Sequence, residues 1–338
     1  MEPTLAQLGE DRAIALIAET LADVPLPEGW VGIGDDAAVT TLTPGLQAVT
    51  TTDILVEDVH FRRSTTSARE LGWKAIAVNV SDVASMGALP RWATVSVALP
   101  KDCSASWVRE LYQGIADASR AVGLAIVGGD TTGSPGPLMV SVTVVGETER
   151  PLLRSGAKAG DLVCVTGPIG DSAAGLWLLE HGGETPLSEA DAQALRQAHR
   201  KPRPHVAEGR ALAQSPYRIC VLDNSDGLGR SALILAQANR VTVEVEASRL
   251  PISDAMKALA AHAGRDPLDW ALWGGEDYNL VLTIEPAGLD AVRQAVEAAG
   301  GRLWEVGRMS EGPAIAVLKK DDHAEPLRNA SAFQHFGS

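Results

Sequence analysis

Short apolar runs recur along the whole chain, and several of them stop at a tight turn that holds aspartate among glycine or small polar residues. Six places share this design: "GIGDD" (Asp35, Asp36), "TTTD" (Asp53), "VNVSD" (Asp82), "VGGDTT" (Asp130), "LDNSDGL" (Asp223, Asp226) and "WGGEDY" (Glu276, Asp277). Glycine permits close backbone approach and turns that present backbone N–H groups. In α/β sheets, ligand-bearing loops of this sort collect at the carboxyl ends of the strands. The pattern therefore constrains both the fold and the placing of a site.

The segments between these turns read as strands and helices. "LQAVTTTDIL", "WATVSVALP", "GLAIVGGD" and "GPLMVSVTVVGE" are strand-like, and in "TVSVAL" and "MVSVTVV" apolar and small polar residues alternate as in strands with one buried face. "ARELGWKAIAVNVSDVASMGA" is apolar almost all round and predicts a buried helix. "SASWVRELYQGIADASRAVG" has a serine start, a glycine stop and helical apolar spacing. After Arg150 the pattern restarts. "DLVCVTG", "RICVLDNSDGL", "RVTVEVEA", "YNLVLTI" and "GPAIAVLK" read as strands, with helices in "GDSAAGLWLLEHG", "LGRSALILAQAN" and "GLDAVRQAVEAAG". A polar, proline-bearing stretch runs through "RKPRPH". Both halves are α/β or α+β. The loop "GETERPLLRSGAKAGD" divides the chain into expected domains at 1–149 and 150–338.

The 338 residues suit two domains, and 45% hydrophobic content can fill both cores. Net charge is −14. Residues 1–150 hold 10 basic against 19 acidic residues, or −9; the remainder holds 19 against 24, or −5. Nucleic acid is a poor partner for such a surface. An anionic ligand would need a cation to mediate. Cys103, Cys164 and Cys220 form no CxxC, which predicts reduced thiols in a cytoplasmic protein. The acidic start lacks the basic and apolar regions of a signal peptide, and no apolar run approaches ~18 residues, so no membrane association is expected.

Any one aspartate of the set has an ordinary explanation, since helix N-caps would account for Asp82 or Asp226. Together they are harder to explain so. Adjacent carboxylates repel by about 1 kcal/mol per pair at 4 Å even in water. A hard cation relieves that repulsion, and Mg²⁺ takes oxygen ligands from one or two carboxylates plus substrate phosphates. Asp35 and Asp36 are thus read as helping to hold metal. Two familiar nucleotide motifs are excluded. Gly32-x-Gly34-x-x-Ala37, followed by Asp53, matches the dinucleotide fingerprint, but no buried strand precedes it and no helix follows. No Gly-Lys dipeptide occurs, so there is no Walker sequence.

"GIGDDAAV", "TTDILVEDVHF", "KAIAVNVSDVASMGA", "VGGDTT", "RSGAKAGD", "GDSAAGL", "DNSDGL" and "GGEDYNL" follow one another in this order between residues 32 and 280. In this ordered set, with "FQHF" near the C-terminus, the chain resembles the thiamine-monophosphate kinases of the aminoimidazole-ribonucleotide synthetase superfamily. The resemblance implies a two-domain fold. Its N-terminal α/β domain binds ATP and Mg²⁺, and the sheet of that domain pairs with a twofold mate into a barrel in a homodimer. Its C-terminal α/β domain completes the nucleotide and substrate site. The implied activity is ATP-dependent phosphorylation of thiamine monophosphate to thiamine diphosphate with Mg²⁺. By matching motifs, Asp36, Thr51, Asp53, Asp82, Asp130, Asp223 and Asp226 would be metal ligands. Gly129, Asp130, Arg154 and Ser225 would contact the nucleotide, and His60, Glu276 and Phe333 the thiamine part.

The chain departs from that pattern at Asp58 (glycine expected), Asn224 (a β-branched residue), Asn279 (glutamate) and Phe333 (tyrosine). None of these removes an implied metal ligand, though Asp58 could change how its loop presents His60. The implied chemistry is self-consistent. A phosphate acceptor, with its second pKa near 6, is already an anion at pH 7 and needs no general base. An aromatic such as Phe333 or Trp273 could stack on a thiazolium cation, and Glu276 could balance its charge. Trp92 and Trp107 read as core. The alternatives are another ATP-using member of the superfamily, or a non-catalytic sensor of ATP or thiamine diphosphate. Selenophosphate synthetase would need a reactive residue near the N-terminus, where the first cysteine is Cys103, and the hydrogenase-maturation relative a C-terminal cysteine, where this chain reads "HFGS".

Overall fold

The computed structural model describes residues 3–34, 36–321 and 323–328. It divides into two compact units. One comprises residues 1–83 and 88–150, and the other residues 84–87 and 151–338. No helix among the described residues is long and apolar enough to cross a membrane.

The first unit contains α1 (Leu5–Leu8), α2 (Glu10–Thr20), β1 (Gln47–Val56), α3 (Ala68–Ser85, ending in the other unit), β2 (Leu89–Pro100), α4 (Ala105–Val122), β3 (Ala125–Ser134) and β4 (Met139–Thr148). The four strands lie in the order β1-β4-β2-β3 and are antiparallel except for the β2/β3 pair. The expected alternation is present: Val140, Val142 and Val144 of β4 and Val95, Val97 and Leu99 of β2 are buried. The other face stays open, with Ile54 48% exposed. Among the described residues the sheet does not close, and β1 and β3 are its edges.

α3 is buried nearly all round, as its sequence predicts, and α4 starts and stops where its serine and glycine place it. Ser104 accepts from the Trp107 N–H at 3.2 Å, and Gly123 ends the helix at φ +69°. The two helices pack backbone to backbone. A Cβ on Gly72 would stand 2.0 Å from the Leu111 oxygen, and one on Gly114 would stand 1.9 Å from the Arg69 oxygen. Trp92 and Trp107 are only half-buried, unlike the expectation; Trp92 meets Trp30 edge-on with centroids 5.2 Å apart.

The second unit contains β5 (Leu162–Val165), α5 (Asp171–His181), α6 (Glu189–Arg200), α7 (Val206–Ala213), β6 (Ile219–Asp223), α8 (Leu228–Asn239), β7 (Thr242–Glu246), α9 (Asp254–His262), α10 (Pro267–Trp273), β8 (Leu280–Ile284), α11 (Leu289–Ala298), β9 (Trp304–Ser310), β10 (Ala316–Lys320) and β11 (His323–Pro326). Its seven strands run β11-β10-β7-β9-β5-β8-β6 in a mixed sheet. Both faces are covered, so alternate residues of one strand enter different cores. Cys220 and Leu222 of β6 pack with α5, α6 and α8, whereas Ile219 and Val221 pack with α7 and α11. The stretch read as merely polar before "RKPRPH" is in fact α6. Ser188 caps it by accepting from the Asp191 N–H at 3.1 Å, and Ala192, Leu195 and His199 form its buried stripe.

Candidate active site

The structure places the implied residues of the first unit in two groups. At the β1 edge, Thr51 and Asp53 share the face that aligns with buried Val144 and Val142 of β4. There Thr51 Oγ1 donates to Asp82 Oδ2 at 2.6 Å. Withdrawal from water, with the Asp82 carboxylate adding to it, pushes the Asp53 carboxyl up to about 6, although the residue as a whole keeps accessible surface. Asp82 lies well inside α3, so it is not the N-cap that its sequence context allowed. Two crowded carboxylates and a hydroxyl form a hard oxygen set that suits Mg²⁺. Among the described residues no three histidine, cysteine or acidic side chains converge on one point. A cation here would draw its remaining ligands from phosphate and water.

The second group borders a cavity of about 580 Å³ beside β3, lined by Gly32, Gly34, Asp36, Tyr112, Gly129 and Asp130 among others. Its size is that of a small-molecule site. Asp130 pairs with Ser96 on the open face of the sheet, while Asp53 faces the helices across β4 and β2. Three strand spacings amount to about 14 Å. Asp53 and Asp130 sit within strands, not in the loops beyond them, because the threonines that flank both extend the pairing. Gly129 has a structural reason to be glycine: a Cβ there would lie 1.8 Å from the Val95 carbonyl oxygen on β2.

In the second unit, two loops meet beyond the paired ends of β6 and β8. Asn224 N–H donates to the Asn279 carbonyl at 2.8 Å, Tyr278 N–H to the Asn224 carbonyl at 3.1 Å, and Glu276 N–H to the Ser225 carbonyl at 2.6 Å. The pairing brings Asp223, Ser225, Asp226 and Glu276 to one end of the sheet. Asp226 is exposed, and among the described residues it makes no hydrogen bond; Gly227 is the N-cap of α8. The two asparagine departures are buried here. Asn224 Oδ1 accepts from Ser231 Oγ at 3.1 Å, and Asn279 Nδ2 donates to the Pro168 carbonyl at 2.7 Å.

Asp277 turns away from this end and caps α5, accepting from Gly170 N–H at 2.7 Å and Ser172 N–H at 3.2 Å. Burial pushes its carboxyl up to about 7, and Asp171 and Glu276 add to the shift against the two N–H donors. One neighbour of Glu276 carries no local sequence signal: His199 Nδ1 lies 3.2 Å from its Oε2.

His60 follows β1, and its Nδ1 accepts from the Val56 N–H at 3.0 Å, so Nε2 carries the hydrogen in the neutral ring. Asp58 adopts φ +63°, the left-handed region, which explains why glycine suits its position. Arg154 is exposed on a segment held to β6 by Val221 N–H donating to the Leu153 carbonyl at 3.0 Å. Trp273 is half-buried and packs on the core. Asp35 and Phe333 lie outside the described residues. The three cysteines are free and buried, and burial pushes Cys103 up to about 11 and Cys164 to about 12.

Residues 34–148 match the family described as AIR synthase related protein, N-terminal domain, and residues 158–320 match its C-terminal domain counterpart. The chain is similar to the thiamine-monophosphate kinase of Bacillus subtilis (strain 168), 36% identical over 308 residues that span 90% of this chain and 93% of that protein. A crystal structure of thiamine-monophosphate kinase from Stenotrophomonas maltophilia K279a is 35% identical with TM-score 0.78, covering 93% of this chain and 96% of that one. AaThiL complexed with AMPPCP and TMP is 34% identical with TM-score 0.73, covering 96% and 98%.

Proposed function

The chain belongs to the thiamine-monophosphate kinases, a family of AIR synthase related proteins, and from that premise we propose how it works. It transfers the terminal phosphoryl group of ATP to thiamine monophosphate and releases thiamine diphosphate. The observation that carries this reading is similarity over nearly the whole length to AaThiL, whose structure holds an ATP analogue and TMP together.

Donor and acceptor are both polyanions, and the chain itself is at −14. Bound Mg²⁺ would supply the charge neutralisation that lets them approach in line. We assign ligands for several Mg²⁺ ions to Thr51, Asp53 and Asp82 at the β1 edge, Asp36 and Asp130 at the β3 cavity, and Asp223 and Asp226 beyond β6. Gly129, Asp130, Arg154 and Ser225 hold the nucleotide. His60 offers its Nε2 hydrogen to the acceptor, and Glu276 and Phe333 receive its cationic ring system. The acceptor oxygen is ionised at neutral pH, so no residue is given the role of base. We also infer a cytoplasmic homodimer in which the open face and edges of the N-terminal sheet are covered by a twofold mate in a barrel.

The test is to incubate the protein with ATP, thiamine monophosphate and Mg²⁺ and follow thiamine diphosphate. Product should form and should vanish in excess chelator. Persistent turnover without divalent metal would overturn the mechanism, and no product would overturn the assignment. A monomer mass by light scattering at micromolar protein would contradict the dimer.

A further inference from the structure

Glu276 is held at both ends. Its backbone stands at φ +59°, fixed by the 2.6 Å hydrogen bond from its N–H to the Ser225 carbonyl. Its carboxylate Oε2 lies 3.2 Å from Nδ1 of His199, and Ser172 Oγ lies 3.2 Å from the same nitrogen. A carboxylate only accepts, so Nδ1 carries a hydrogen and donates it towards Glu276.

The donor is anchored in the core. His199 is 3% exposed on the stripe of α6 that Ala192 and Leu195 bury against Ala174 and Leu178 of α5. Ser172 is fixed in turn, since its N–H donates to Asp277 Oδ1. An aliphatic residue would complete that stripe at no desolvation cost, whereas a buried imidazole needs polar partners to be tolerated. The hydroxyl of Ser172 and the carboxylate of Glu276, whose side chain remains 26% exposed, are among its partners. Rigid elements that lock the rotamer of a binding group in this way hold functional geometry.

We propose that His199 is a positioning residue for acceptor recognition: by holding the Glu276 carboxylate it sets the affinity for the cationic ring system of the acceptor. The proposal rests on the reading above that Glu276 receives that cation. His199 does not itself touch the acceptor.

The test compares steady-state constants and melting temperatures of His199→Leu, His199→Gln, His199→Asn and Glu276→Gln. Losing a hydrogen bond to a charged group should raise KM for thiamine monophosphate about tenfold in the Leu and Gln variants, with KM for ATP and kcat within about twofold of wild type. Asn, whose amide nitrogen takes the place of Nδ1, should recover most of that affinity. Glu276→Gln should raise the same KM about tenfold, and adding His199→Gln to it should do no further harm. The Asn and Gln variants carry the comparison should the Leu variant not fold. Equal KM in those two would overturn the proposal. So would a rise in both KM values in step with a lower Tm, which marks a merely structural histidine. An effect of Glu276→Gln without one of His199→Gln refutes the positioning role alone. An unchanged KM in Glu276→Gln refutes the assignment of Glu276 and the proposal with it.

Discussion

Gly128 and Gly129 are neighbours on β3, and alanine should have opposite consequences at the two. A Cβ on Gly129 would lie 1.8 Å from the Val95 oxygen, against 3.4–4 Å for an ordinary contact. To accommodate it, β2 and β3 must part by about 1.5 Å, which stretches a ~2.9 Å hydrogen bond to ~4.4 Å and breaks it. Overpacking costs about 1–3 kcal/mol and each orphaned buried partner about 1–3 kcal/mol more. Gly129→Ala should therefore lose about 3–5 kcal/mol and lower Tm by about 10 °C. At Gly128 the nearest heavy atom to a Cβ is Thr94 Cγ2 at 3.9 Å. Gly128→Ala should stay within about 2 °C of wild type, helped by a stiffer unfolded chain. Thermal unfolding of the two variants, followed by circular dichroism, checks this. Equal melting temperatures, or the larger loss at Gly128, would refute the close-approach reasoning.

The pKa of about 6 at Asp53 gives a pH dependence with a defined sign. The folded chain holds that proton more tightly than the unfolded chain, so the stability contributed by Asp53 is fully present below pH 4 and lost as pH rises through 6. A metal must displace the proton, so its apparent affinity should be about fourfold weaker at pH 5.5 than at 7.5; titrations of Tm against Mg²⁺ at the two pH values measure it, and equal affinities would contradict the role of Asp53. Asp226→Asn should leave the urea midpoint unchanged within about 0.5 kcal/mol, because the carboxylate caps nothing, yet reduce turnover at least about tenfold; a near-normal rate would remove Asp226 from the site. Asp58→Gly should gain up to about 1 kcal/mol by relieving the left-handed backbone, and Asp58→Val should lose about 2 kcal/mol, both read from urea midpoints.

Most of the fold was legible because its signals are local. Alternation in "MVSVTVV" and the serine and glycine that bound α4 are properties of a few consecutive residues. α6 escaped because its exposed face dominates its composition and its buried stripe includes a histidine. The aspartates could be selected as a set from their turns, but their distribution could not. Whether Asp53 and Asp130 share a face follows from register across β4 and β2, which no local pattern encodes. The same holds for His199 and Glu276, which lie in different segments and meet only through the packing of α6 beside the loop before β8.

A phosphate acceptor whose oxygen is already ionised needs no base. The most direct measurement is the rate of phosphoryl transfer to thiamine monophosphate and to thiamine at equal concentration, with saturating ATP and Mg²⁺. Thiamine offers a hydroxyl that must lose a proton, to a site whose acids would be engaged with metal and weakly basic. It also lacks the phosphate that would share that metal. Thiamine diphosphate should form from thiamine monophosphate, with essentially no product from thiamine. Comparable rates on the two would contradict the base-free mechanism.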